Sequence, residues 1–200
     1  LRVDDRSREL PDLDARREQI LVAVCERRRR LRREPSPRDR RERTARSQQA
    51  SFTANGRALP LDAERIALQG RDAQVSVADA PVVFVGHGAR MPERGIDQLA
   101  GADLRGAVAI LLFEGPQVEG FPSFAERVRT VTEAGAAAVI AVTGADMQWD
   151  FIARNYRQPA TKLASQVVAP ILGAMPLEAA QQLVAAAGGD FGRLLDDQPG

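Results

Sequence analysis

Residues 107–143 contain the pattern that decides the fold: AVAILLF at 107–113, SFAERVRTVTEAG at 123–135 and AAAVIAVT at 136–143. The first and last stretches are almost continuously apolar, as is typical of strands buried on both faces. The stretch between them predicts a helix, because Ser123 and Glu126 match a capping box and Gly135 stands where a helix ends. The order strand, helix, strand predicts one right-handed βαβ unit.

The predicted helix has one apolar face. Its members recur at positions i, i+4 and i+7, namely Phe124, Val128 and Val131. As the crossover of the βαβ unit, the helix is expected to bury all three side chains against the sheet, on Ile110, Leu112 and the strand at 139–142. If Phe124 is fully buried, its replacement by alanine is expected to cost about 3–5 kcal/mol.

Further strand, turn and helix patterns lie on both sides of this unit. Upstream, Asn55–Gly56 predicts a hairpin, and PVVFVG at 81–86 predicts a strand that ends at a glycine turn. Downstream, VVAPIL at 167–172 predicts another strand, and Pro176 suits the first position of a helix. Residues 51–200 are therefore predicted to form a compact α/β domain.

The first 50 residues differ in composition from the rest of the chain. They hold 16 arginines, no lysine and ten acidic residues, a net charge of +6, whereas the remaining residues carry −5. A helix is predicted over residues 13–33, with an apolar stripe of Ile20, Leu21, Val24 and Leu31. Residues 37–49 have no apolar face and are predicted to be disordered. Residues 1–50 are thus interpreted as an arginine-rich, partly helical or disordered segment.

The chain has one histidine, His87, and one cysteine, Cys25, which limits its chemistry. A di-zinc hydrolase site needs two histidines and about three carboxylates, and a four-cysteine zinc site needs more cysteine. We therefore expect no catalytic residue, no metal ligand set and no bound cofactor in this chain. No apolar run reaches the roughly 18–20 residues that span a bilayer, and no signal peptide is expected, so no membrane partner is predicted.

Some residues that resemble functional groups have simpler interpretations. His87 is interpreted as a turn residue, because Gly86 and Gly88 permit a positive φ on either side of it. Ser123 is interpreted as a helix cap. The candidates for contact with a substrate are the clustered aromatic residues Trp149, Phe151 and Tyr156, since aromatic side chains are enriched in binding hot spots. Ordinary core packing is the alternative for these three.

Three stretches, in this order, resemble the protease-associated (PA) domain. They are DLRGAVAILLFEGP at 103–116, SFAERVRTVTEAGAAAVIAVTGAD at 123–146 and VVAPILGAMPLEAAQQLVAAAG at 167–188. The matching marks are Gly106 before a strand, Gly135–Ala136 between a helix and a strand, and Pro170–Ile171 before the final helix. The resemblance spans about residues 76–189. It implies the swivelling β/β/α architecture of PA domains, with a mixed, partly barrel-like sheet and a few flanking helices.

A narrower resemblance lies in APVVFVGHGARMPERGIDQLAGADLRG at 80–106. This stretch is similar to the start of the PA insertion in bacterial di-zinc aminopeptidases, metallopeptidase family 28. The positions that match are Phe84, Gly86, Gly88, Pro92, Asp97, Gly101, Asp103, Leu104 and Gly106. The departures are His87, Ile96 and Ala107, where that family usually has tyrosine, tryptophan and lysine.

These resemblances imply an accessory PA domain of a zinc-dependent aminopeptidase, a secreted or periplasmic hydrolase. The domain would restrict access to the active site or contact the peptide substrate, so the expected partners are that peptide and the peptidase catalytic domain. Zinc and the catalytic residues would then lie outside this chain, and the chain alone is expected to be inactive. A stand-alone protein-interaction module is the alternative. A nucleic-acid binder that uses arginine-rich residues 16–46 is the third interpretation, and nucleic acid is not the expected partner.

Overall fold

The computed structural model describes residues 19–27, 45–72, 74–157, 167 and 169–196. The strands are β1 (Gln19–Arg27), β2 (Ala45–Ala54), β3 (Arg57–Ala58), β4 (Ala67–Gly70), β5 (Gln74–Phe84), β6 (Arg90–Met91), β7 (Ile96–Asp97), β8 (Val108–Leu112), β9 (Ala138–Thr143) and β10 (Ile171–Pro176). The α-helices are α1 (Phe124–Glu133), α2 (Trp149–Arg157), α3 (Leu177–Ala186) and α4 (Phe191–Asp196). Of these helices, none has the length and apolar character that crossing a membrane requires.

Eight strands form one mixed sheet in the order β3-β2-β1-β5-β8-β9-β10-β4. Strands β5, β8, β9 and β10 run parallel to one another, and the other pairs are antiparallel. The sheet curls so that β2 approaches edge strand β4, where Oε1 of Gln48 accepts a hydrogen bond of 2.9 Å from the amide of Leu68. The predicted α/β class, with a mixed, curled sheet and flanking helices, is confirmed.

The βαβ unit predicted from residues 107–143 is present as β8, α1 and β9. Strands β8 and β9 pair in parallel, with Ile110 opposite Ile140. The capping box is formed: Oγ of Ser123 accepts from the amide of Glu126, and the Glu126 carboxylate accepts from the amide of Ser123. Gly135 follows the helix with a φ of +102°, a conformation that favours glycine.

Strands β8 and β9 separate two apolar cores. On one face, Ile110 and Ile140 pack with Phe52, and with Leu183 of α3 and Phe191 of α4. The other face carries the side chains of Ala109, Leu111 and Val139, which alternate along the strands with those of the first face. Helix α1 covers this second face with Val128 and Val131. The expectation that α1 packs on Ile110 and Leu112 is therefore wrong. A strand that is apolar on both faces gives no sequence pattern to show which face the helix covers.

The predicted N-terminal helix is also wrong where the structure describes it. Residues Gln19–Arg27 form strand β1, which lies between β2 and β5 and pairs antiparallel with both. The run ILVAV at 20–24 fits a strand because Ile and Val favour the extended backbone. Residues 45–49, predicted to be disordered, belong to β2, so the change of composition at residue 50 falls inside a strand. The other residues of these two predicted segments lie outside the described part of the chain.

Gly173, at the centre of β10, is predicted to tolerate no side chain. A Cβ there would lie 2.7 Å from Cδ2 of Leu68 and 3.1 Å from the carbonyl oxygen of Ala67. We expect Gly173→Ala to lower the free energy of unfolding in urea by about 1–2 kcal/mol, because the extra methyl overpacks the core between β4 and β10. The matched control is Gly192→Ala in α4, where the added Cβ would meet only the carboxylate of Asp190. An equal loss in both variants would contradict this packing.

Candidate functional site

The carboxyl ends of the parallel strands β5, β8 and β9 lie at one edge of the sheet, where ligands bind in many open α/β sheets. A cleft of about 550 Å³ opens there in the loop between β8 and α1. Its lining includes Phe113, Val118, Phe121, Phe124 and Arg127. We call it the phenylalanine cleft, after Phe113, Phe121 and Phe124.

Three of the seven phenylalanines of the chain line this cleft, and all three are half-buried. The rings of Phe113 and Phe124 lie 4.5 Å apart between centroids. The apolar side chain of Val118 is 54% exposed. Apolar side chains that are partly exposed around a concavity can pack against an apolar group of a ligand, because burying the two apolar surfaces together releases water. Phe124 packs against the core that contains Val128 and Val131, as expected, but it is less buried than they are because part of its ring lines the cleft.

Arg127, from the second turn of α1, lies beneath the rings and is only 2% exposed. Its Nη1 donates to the carbonyl oxygens of His87 and Leu112, at 2.9 and 2.8 Å, and its Nη2 donates to that of Phe113 at 2.6 Å. Its guanidinium carbon lies 5.7 Å from the ring centroid of Phe121 and 5.6 Å from that of Phe124.

The environment of Arg127 is unusual for a buried cation. No carboxylate in the described part of the chain forms an ion pair with it, and its Nε has no hydrogen-bond partner there. Carbonyl dipoles and aromatic faces stabilise the charge in place of an anion. Burial lowers the pKa of Arg127 from its ordinary value, because it disfavours the charged guanidinium. Arg127 thus ties the loop after β5 to the end of β8, and it supports the floor of the cleft.

His87 lies in the turn after β5, beside the cleft. Gly86 and Gly88 adopt φ values of +56° and +69°, as the sequence predicted for a turn histidine. Because Nδ1 of His87 lies 2.8 Å from the carbonyl oxygen of Glu114, which can only accept, Nδ1 carries the hydrogen. The lone pair of the neutral ring is then on Nε2, and the ring meets Phe121 edge to face at 5.6 Å.

The pKa of His87 is held below its ordinary value of 6.5, chiefly because burial disfavours the charged ring. The charge of Arg127 acts in the same direction, and the hydrogen bond to Glu114 opposes them. The unfolded chain therefore takes up the proton at a higher pH than the folded chain. As the pH falls below 6.5, unfolding becomes more favourable, until the pH passes the lowered pKa of the folded state.

We therefore expect acid to destabilise the wild type more than it destabilises His87→Gln, which cannot titrate. Urea unfolding from about pH 7.5 down to about pH 5 measures this difference. Above the ordinary pKa, both proteins should show the same pH dependence. A wild type that loses no more stability than the variant over this range would show that burial does not perturb His87.

The aromatic residues predicted as substrate contacts lie on α2, which packs on β4 and β10. Nε1 of Trp149 donates to the carbonyl oxygen of Glu64 at 2.9 Å, at a second open cleft of about 570 Å³. Tyr156 is half-buried, and burial raises its pKa to about 12. Phe151 is 60% exposed and does not share the helix face of the other two. The structure does not bring these three together at one site, and their role in binding stays a prediction.

Sequence reasoning missed the phenylalanine cleft. Its ring-bearing residues all fall within 113–124, around the glycines and prolines of the loop that follows the most apolar strand. The concentration of three phenylalanines in one short segment, in a chain with few aromatic residues, is the sequence signal that could have indicated the cleft. Among the residues that the structure describes, no group of three or more His, Cys, Asp or Glu side chains is placed to hold a metal ion.

No protein-family model matches the chain, and no curated protein matches it. Among solved structures, the chain is similar to an aminopeptidase from Aneurinibacillus sp. strain AM-1, with 15% sequence identity. That match covers 84% of this chain and 27% of the other, with a TM-score of 0.32. The chain thus spans well under two thirds of that protein. At this TM-score the likeness establishes neither a shared fold nor a shared activity.

Proposed function

We propose that this chain is an accessory domain of the PA type, without a catalytic site, which contacts peptide through the phenylalanine cleft. The parent protein is proposed to be a zinc-dependent aminopeptidase, whose catalytic domain would supply the zinc ligands. The resemblance of residues 76–189 to PA domains supports the first part of this proposal. The second part rests on the narrower resemblance at 80–106.

The observation that carries the proposal is the position of Phe113, Phe121 and Phe124 at an open edge of the sheet. A small domain gains stability by burying its few aromatic rings, yet these three remain partly exposed around a concavity. Arg127 holds the backbone beneath them through three hydrogen bonds, so contacts within the chain fix the shape of the cleft. A preformed aromatic cleft suits an apolar side chain of an extended peptide.

A stand-alone protein-interaction module would use the same cleft. The two alternatives differ in what the coding sequence contains beyond Gly200. A downstream domain with two histidines and several carboxylates in zinc-ligand spacing would favour the peptidase. A coding sequence without such a domain would favour the stand-alone module.

Titration of the ¹⁵N-labelled chain with the blocked peptide acetyl-Leu-Phe-Gly-amide tests the contact. We expect saturable shifts of the amide signals of residues 113–127, since the ligand side chains would enter the cleft there. Phe121→Ala should weaken binding about tenfold, which corresponds to roughly 1.4 kcal/mol for the loss of one aromatic wall.

The matched comparison is Phe151→Ala, which removes an exposed ring on α2 and should leave binding unchanged if the peptide enters the phenylalanine cleft and does not contact α2. Acetyl-Gly-Gly-Gly-amide, which has no side chain to bury, should not bind. The proposal fails if the leucine–phenylalanine peptide causes no saturable shift. It also fails if Phe151→Ala, rather than Phe121→Ala, abolishes binding, which would move the site to α2.

A further inference from the structure

We infer that the phenylalanine cleft selects peptides in which a positively charged group neighbours an apolar residue, and that Glu119 recognises that charge. The inference rests on the proposed function, since it names the class of peptide that the same cleft takes. The juxtaposition of Glu119 with the exposed faces of Phe121 and Val118 carries it.

Glu119 is the carboxylate that lines the cleft. Its side chain is exposed and forms no ion pair with the cations in the described ranges. Its backbone, in contrast, is held in place, because Nη2 of Arg94 donates to the Glu119 carbonyl oxygen at 2.6 Å. Arg94 itself does not line the cleft. The loop therefore fixes the position of Glu119 while leaving its carboxylate able to bind a cation.

Arg127, the positively charged residue that lines the cleft, is not available to bind an anionic group of a ligand. Arg127 is 2% exposed, and its two Nη atoms already donate three hydrogen bonds to backbone carbonyls. Phe121 and Phe124 lie over its guanidinium. A ligand that enters the cleft thus meets the carboxylate of Glu119 before it meets the charge of Arg127.

Of the remaining polar side chains near the cleft, Gln117 lines it and can both donate and accept, and Arg94 donates to the Glu119 carbonyl without lining the cleft. The neutral ring of His87 offers the lone pair of Nε2, because Nδ1 donates to the Glu114 carbonyl. The carboxylate of Glu126 accepts from the amide and the hydroxyl of Ser123, at 2.8 Å each. Charge complementarity therefore favours a ligand that donates, and an ammonium or guanidinium group donates most strongly.

Four related tripeptide amides test the inference by the same titration of the labelled chain. Three are the blocked series acetyl-Xaa-Phe-Gly-amide, with Arg, Gln or Glu as Xaa. The fourth is Gln-Phe-Gly-amide with a free α-amino group, which separates a terminal ammonium from a side-chain cation. We expect the arginine peptide to bind about fivefold tighter than the glutamine peptide, and the glutamate peptide to bind most weakly.

Glu119→Gln should bring the arginine and glutamate peptides to nearly equal affinity, and so should added salt, because the difference is electrostatic. Glu178→Gln, an exposed carboxylate on α3, is the matched control and should preserve the order. Tight binding of the free-amine peptide supports the inference with a terminal ammonium as the source of charge. Weak binding of that peptide beside tight binding of the arginine peptide supports it with a side chain as the source.

Two results would overturn the inference and leave the proposed function intact. One is equal binding of all four peptides with the dependence on Phe121 retained. The other is an unchanged preference for arginine in Glu119→Gln. A glutamate peptide that binds most tightly would also overturn the inference, and would indicate that the charge of Arg127 dominates the cleft. If none of the four peptides binds, the result would instead count against the proposed function itself.

Discussion

Replacement of Arg127 by methionine should lower the free energy of unfolding by about 2–4 kcal/mol, the largest effect expected of one substitution in this chain. Methionine has similar length and removes the buried charge, which by itself would be favourable. It also leaves the carbonyl oxygens of His87, Leu112 and Phe113 without their donor. Loss of three charge-assisted hydrogen bonds in a part-buried site outweighs the gain. Urea unfolding followed by the fluorescence of Trp149 measures the change.

Arg127→Lys separates the charge from the geometry of the guanidinium. A lysine ammonium keeps the charge and three N–H donors. It lacks the planar guanidinium that donates from two separate nitrogens, so it cannot reach all three carbonyl oxygens. We expect an intermediate stability and a larger loss in peptide binding than Phe151→Ala causes. Arg129→Met, an exposed arginine of the same helix, is the control and should unfold like the wild type. Equal stability of Arg127→Met and the wild type would refute the role of Arg127 in holding the loops together.

Local patterns predicted the central unit of the fold. The capping box at Ser123 and the glycine at 135 define the ends of α1, because each satisfies a backbone requirement of a helix terminus. The turn at Asn55–Gly56 was predicted for the same kind of reason, since both residues adopt a positive φ between β2 and β3. Such requirements are met by residues a few positions apart, so the sequence alone carries them.

The remainder depends on contacts between distant residues. Strand β1 obtains its hydrogen bonds from β2 and β5, and its residues Ile20, Leu21 and Val24 also fit a narrow helical stripe when those partners are unknown. The cleft depends on Arg127, which follows Phe124 by three positions and precedes Val131 by four, so the helical spacing places it on the apolar face. An arginine at that position gives no indication of the carbonyls that it meets. Its carbonyl partners belong to segments 14 to 40 residues earlier in the chain. No spacing rule connects these groups.

The second large loss of stability is expected when the apolar side chains by which α1 packs on the sheet are truncated. Val131 is fully buried, and a Cβ on Gly88 would approach its Cγ2 to 2.9 Å, so the space around it is filled. Val131→Ala should cost roughly 2 kcal/mol, from two lost methyl groups and a residual cavity. Phe124→Ala should also cost about 2–3 kcal/mol, less than for a fully buried ring, because part of its surface already meets solvent at the cleft.

Glu126→Ala tests whether packing or capping dominates in α1. It removes only the two hydrogen bonds that an exposed carboxylate accepts from the amide and the hydroxyl of Ser123, so its effect on urea unfolding should be smaller than that of either apolar truncation. Glu133→Ala, exposed at the end of the helix, serves as the matched control and should be nearly neutral. If Phe124→Ala and Val131→Ala prove harmless while Glu126→Ala is damaging, α1 is held by its cap and not by the sheet. In that case the βαβ packing that places the cleft would be wrong as well.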